Sequence, residues 1–174
     1  MEFHDFLKFL VRKRKTVYGI IAIFILIGVV TIAVQRFKYS AKSQLLVVQE
    51  YSGPVDAYTA SKSTEHLSNV LASVINSNSF FTKVVTNSPS INTQYFGTKP
   101  KDQMREWNKT VNAKSINDTG IIAITVYHPN RNEVQKIAGA INYVLMTQHS
   151  AYDGAGQAVK VRLIDQPISS TIPV

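Results

Sequence analysis

Two carboxylates flanking one glycosidic bond at about 5–9.5 Å would mark a glycoside hydrolase. Beyond the long apolar run near the N-terminus, Asp102 and Glu106, one helical turn apart in PKDQMREWNKT, are the only nearby pair. The same turn carries Lys101, Arg105 and Lys109, and opposite charges three and four residues apart describe a solvated helix face more simply. Glu50, Asp56, Glu65, Asp118, Glu133, Asp153 and Asp165 are scattered. His4, His66, His128 and His149 lack metal-ligand spacing, and cysteine is absent, so zinc, iron–sulfur and thiol chemistry lack their ligands. HExxH, GxSxG, GxxxxGK[ST] and GxGxxG do not occur, which removes the usual signatures of zinc proteolysis, elbow hydrolysis and nucleotide binding. The glycines of GAGQAVK at 154–160 lack phosphate-loop spacing and read as a helix exit. Trp107 with Tyr95 and Phe96 would stack on a sugar or lipid headgroup, or form a satellite apolar cluster; the cluster is the preferred reading. The residues support binding rather than catalysis, with no cofactor and no metal expected.

Whatever positions these groups comes in two unlike parts. Thr16 to Val34, TVYGIIAIFILIGVVTIAV, has no charge, and at 1.5 Å per residue it spans roughly 28 Å, close to a bilayer's hydrocarbon core. It is longer than a signal h-region and leaves through Val34, Gln35, Arg36 and Phe37 rather than small residues, so an uncleaved anchor is expected. Lys8, Arg12, Lys13, Arg14 and Lys15 precede it, against Arg36, Lys38 and Lys42 after it. That imbalance puts the N-terminus in the cytoplasm and the main domain outside, at the cell (inner) membrane. Arg12, Lys13, Arg14 and Lys15 are the candidate contacts with anionic lipid or a cytoplasmic partner. The divisions are a cytoplasmic basic segment at 1–15, a transmembrane helix at 16–35 and an extracytoplasmic domain at 36–174. Phe3, Phe6, Leu7, Phe9, Leu10 and Val11 alternate with polar residues, either as an amphipathic segment in the headgroup plane or as the first turns of the membrane helix.

The outer part alternates strand and helix periodicities. Ser40 to Gln49 is the first strand. Ser61 to Val85 is helical with a break at SNS 77–79 and a cap at Ser61 or Ser63, residues 86–98 form a loop, and Pro100 opens a short helix. Val111–Ser115 and Ile121–Tyr127 form a hairpin, Asn130 to His149 a helix, and Val159, Val161 and Leu163 a last strand. The order predicts an α+β fold, a ferredoxin-like βαββαβ domain with a single antiparallel sheet whose helices cover one face. Only 17% of residues are charged, yet the net charge is +8. The sign suits anionic lipid or acidic polysaccharide, and nucleic acid is not an expected partner of an anchored ectodomain.

YSAKSQLLVV at 39–48, SNSFFTKVV at 77–85, DTGIIAITV at 118–126 followed by HPN, IAGAINYVL at 137–145 and VRLIDQPISSTIPV at the end stand in a fixed order behind the basic end and span. Together they resemble the chain-length determinant (Wzz-like) family of polysaccharide copolymerases, and within it the short capsule-type membrane adaptors of bacterial tyrosine autokinases. The resemblance implies a non-enzymatic adaptor regulating chain length, polymerisation or export of a capsule, exopolysaccharide or O-antigen-like polymer. It also implies a homo-oligomer that works with a polysaccharide polymerase or a cytoplasmic tyrosine autokinase. Pro167 and Pro173 would be the family's exit motif, leading to a second membrane helix; the sequence stops at Val174, so that helix lies beyond Val174 or this member has one span. The helix from Asn130 to His149 is too short for the family's long-armed hairpin. The alternatives are a membrane-anchored extracytoplasmic sensor or glycan/envelope-binding module and, last, a membrane-bound hydrolase.

Overall fold

The computed structural model describes residues 13–34, 37–51, 53–117, 119–153 and 158–173. Arg12, the segment before it, Asp118, Gly154, Gly156 and Val174 lie outside the described residues. The chain divides into two compact units, Met1–Phe37 and Lys38–Val174.

In the first unit, α1 (Arg14–Val34) is apolar on all sides, a pattern stable only inside lipid or a core. Its stretch Arg14–Thr31 has a mean hydropathy of 1.8 and none of it is buried within the protein, so by length and composition it can cross a membrane. Thr31 Oγ1 donates to the Ile27 and Gly28 carbonyls at 3.0 and 2.8 Å, satisfying a hydroxyl that hydrocarbon would leave unpaired.

The second unit is a mixed α+β body on one open antiparallel sheet, as expected. Its strands are β1 (Tyr39–Gln49), β2 (Val111–Ile116), β3 (Ile121–His128) and β4 (Val159–Ser169), in the order β2-β3-β1-β4. Between β1 and β2 the chain forms α2 (Ala57–Val74), α3 (Asn78–Asn87), a 3-10 turn (Thr93–Phe96) and α4 (Pro100–Thr110). α5 (Arg131–Gln148) and α6 (Ser150–Asp153) join β3 to β4.

Strand alternation decides what is inside. Ala41, Ser43, Leu45 and Val47 of β1 and Ile122, Ile124 and Val126 of β3 are buried, while the intervening residues face away because side chains alternate along a strand. Phe80, Phe81, Phe96 and Trp107 complete the core, with Trp107 in edge-to-face contact with Phe81 and Phe96. The break at 77–79 is real: Ser77 caps α3 by accepting the Phe80 N–H at 3.2 Å. The cap of α2 is neither Ser61 nor Ser63 but Asp56, which accepts the Thr59 N–H at 3.0 Å. The polar residues of AYTASKS tolerate helix, so the helix runs back to the nearest strong acceptor.

β4 runs on to Ser169, well past the alternation that ends at Leu163. Ala41 to Gln49 of β1 faces Val159 to Ser169 of β4, with register shifts at Lys42/Gln44 and Gln44/Leu45. Bulges absorb the extra β4 residues and break the period of two. Pro167 sits in this irregular stretch of an edge strand, where a missing N–H is tolerated.

Candidate functional site

Among the described residues of the unit from Lys38 onward, helices cover one side of the sheet and leave the other uncovered. Register places its side chains in rows across β2, β3, β1 and β4. Ile116, Ile121, Leu46 and Arg162 form one row, Lys114, Ala123, Gln44 and Asp165 the next, and Asn112, Thr125, Lys42 and Ile168 the third. Strand and residue spacings put the backbones of Lys114, Lys42 and Arg162 about 12–16 Å apart. All three are exposed.

On the helices Lys62, Arg105, Lys109 and Lys136 are ion-paired, whereas Lys83 lies over the Tyr152 ring, Arg131 donates to the Ser169 hydroxyl and Lys101 has no carboxylate within pairing distance among the described residues. Lys62 pairs with Glu65 at 2.7 Å, Lys136 with Glu133 at 2.8 Å, Arg105 with Asp102 and Glu106 at 3.3 Å, and Lys109 with Glu106 at 3.0 Å. On the uncovered face, Lys160 pairs with Glu50 at 2.6 Å. Lys42, Lys114 and Arg162 have no carboxylate within pairing distance among the described residues. Three of the unit's cations without an ion pair, against the single carboxylate of these rows, Asp165, therefore share one face of the sheet, whose middle is Ala123, Gln44 and Thr125.

Open clefts adjoin the body among the described residues. One of about 360 Å³ lies at the far end of β1 between Gln49, Tyr51, Ser61, Thr64 and Gly120; there Gln49 Oε1 accepts from Tyr51 Oη at 3.0 Å and from Ser63 Oγ. A second, about 420 Å³, is lined by Asn76, Asn108, Asn112 and Tyr127, and a mostly apolar third by His66, Val70 and Val74. No cluster of three His, Asp or Glu that would hold a metal occurs among the described residues.

Lys13, Arg14 and Lys15 are exposed at the start of α1. Asp102 and Glu106 share Arg105 on the solvated side of α4. The hydrogen bond from Lys109, against some desolvation, holds the Glu106 carboxyl below its ordinary value, whereas a general acid needs the opposite shift. Trp107 is fully buried and its Nε1 donates to the Ile75 carbonyl at 2.8 Å, so it presents no face to a sugar.

One corner escaped the sequence reading. His128, buried at the end of β3, accepts the Asn130 N–H on Nδ1 at 3.0 Å, which leaves the neutral ring's proton on Nε2; its ring lies 4.1 Å from Tyr95. Desolvation lowers its pKa from the ordinary 6.5, reinforced by Lys38 and opposed by the Asn130 carbonyl, which lies 3.3 Å from Nδ1 and accepts from the protonated ring, and by Glu133. Glu133 loses hydration, yet the Asn92 N–H at 2.9 Å and Lys136 bring its pKa below 4.5. Both groups bind protons more weakly folded than unfolded, so both contribute stability at neutral pH that disappears on acidification. The His128 contribution fades as pH falls below 6.5 and that of Glu133 only below 4.5. Chemical denaturation at pH 7.5 and 5.5 should show lower stability at 5.5, and His128→Gln should flatten that difference; an equal slope in the variant would refute the assignment.

These features define the class: an α+β domain on one open antiparallel sheet, in a chain that also has a helix able to cross a membrane. The sequence matches no family model and no curated protein.

Proposed function

We propose that the protein is a non-enzymatic membrane adaptor, or co-polymerase, that regulates chain length, polymerisation or export of a surface polysaccharide. α1 anchors it in the cell membrane with the N-terminus cytoplasmic and the sheet domain outside. The observation that carries the reading is a one-sided sheet with an uncovered, positively charged face in a chain with a membrane-length helix. The resemblance to Wzz-like adaptors supplies the polymer. The domain works as a homo-oligomer beside a polymerase, and the basic segment Arg12–Lys15 engages lipid and a tyrosine autokinase or similar cytoplasmic partner. Pro167 and Pro173 direct the chain back toward the membrane.

Deleting the gene should change the amount or length distribution of surface polysaccharide, read on a sizing gel. An unaltered polymer would overturn the adaptor reading. The uncovered face also suits a membrane-anchored glycan-binding sensor, for which deletion leaves polymer length intact and alters the response to an external glycan.

A further inference from the structure

Ion pairs neutralise most charges on the helices of the unit from Lys38 onward, and the sheet leaves three cations unneutralised on its free side. We infer that this face is a docking surface for an acidic polysaccharide, a linear chain bearing carboxylates; the choice of polymer rests on the adaptor reading above. Charge complementarity selects a polyanion. Asp165 is the carboxylate on these rows, against Lys42, Lys114 and Arg162.

The kind of cation narrows the polyanion. Phosphate recognition favours guanidinium forks and free N–H groups at helix N-termini, whereas here two of the three are lysines and all three stand on strands. Interfacial lipid binding needs a contiguous apolar patch. Here the apolar side chains Ile116, Ile121 and Leu46 make a single row that ends in Arg162, the next row holds Lys114, Gln44 and Asp165, and Ile168 stands apart on the opposite edge strand. Cations whose backbones stand about 12–16 Å apart across one face of the sheet fit carboxylates recurring along an extended chain, while Gln44, Thr125 and Asn112 on the same rows offer amide and hydroxyl partners to sugar hydroxyls.

The test uses the full chain in phosphatidylcholine nanodiscs, with fluorescent polygalacturonate as probe and dextran of similar length as the neutral control. Polygalacturonate should bind at low salt and weaken as salt rises, and dextran should not bind. Each cation is worth a factor of roughly two to five, so the triple variant Lys42→Gln/Lys114→Gln/Arg162→Gln should bind at least about tenfold more weakly with an unchanged circular dichroism spectrum. Lys62→Gln/Lys109→Gln, on the helices, should stay within about twofold of the parent. Equal binding of both polymers, or full binding by the triple variant, overturns the inference. So does a triple variant that loses phosphatidylglycerol vesicles while keeping polygalacturonate, which would assign the face to lipid. The gene deletion is read separately. An unchanged polymer with charge-dependent binding removes the adaptor reading and keeps the docking face; an altered polymer without such binding does the reverse.

Discussion

Replacing Trp107 with alanine is expected to destabilise the unit from Lys38 onward by about 3–5 kcal/mol, the range for deleting a large buried aromatic. The ring is fully buried, with centroids 5.2 Å from Phe81 and 5.8 Å from Phe96, so α3, α4 and the 3-10 turn all meet on it. Its indole N–H also satisfies the Ile75 carbonyl just past the end of α2, and truncation leaves that acceptor without its partner. Trp107→Phe separates the two contributions: it keeps most of the packing and loses the hydrogen bond, for an expected cost of about 1–3 kcal/mol. Urea denaturation of the chain in nanodiscs, followed by circular dichroism, should show a lower midpoint with little change in slope. Trp107 is the only tryptophan, so the parent's emission should be blue-shifted and move red on unfolding. A loss below about 1 kcal/mol for the alanine variant would contradict a ring at the junction of three elements.

What the sequence revealed was what lies within one element's own periodicity. IIAITVY alternates cleanly and β3 follows it; the apolar face of Val134, Ile137, Ile141 and Val144 marks α5; SNS marks the start of α3. The helix long and apolar enough to cross a membrane was legible from composition, because it is apolar on all sides and needs no face pattern to be read. Asp56 was missed as a cap because the first turn of α2 has little apolar face. Residues 86–98 have the composition of a loop, yet the turn at Thr93–Phe96, closed by Gly97 at φ +87°, carries Phe96 into the core. β4 was cut short because its bulges reverse which side chains face inward. The docking face was invisible for a different reason. Lys42, Lys114 and Arg162 come from three strands, and only the register makes them neighbours on one side; the legible signal was cations at outward strand positions.

Gly120→Ala carries the second large effect, about 2–4 kcal/mol of destabilisation, from two independent causes. Gly120 enters β3 at φ +68°, in the left-handed region that side chains other than glycine adopt at a cost. A Cβ there would also fall well inside van der Waals contact distance of Thr64 Cγ2 and 3.2 Å from the Val47 carbonyl oxygen. Neither neighbour can give way cheaply. The Gly120 carbonyl accepts the Val47 N–H at 2.9 Å, extending the β1–β3 ladder, and Thr64 Oγ1 donates to the Ala60 carbonyl at 3.0 Å, which fixes the rotamer that aims the methyl at the glycine. Thr64→Ser keeps that hydroxyl and removes the methyl. Alone it should cost little; combined with Gly120→Ala it should recover the steric part and leave the backbone part, about 1–2 kcal/mol, in place. Stability from urea midpoints of the four species gives the coupling directly. Strict additivity would place the Thr64 methyl elsewhere, and full recovery would mean that Gly120 does not need its left-handed backbone.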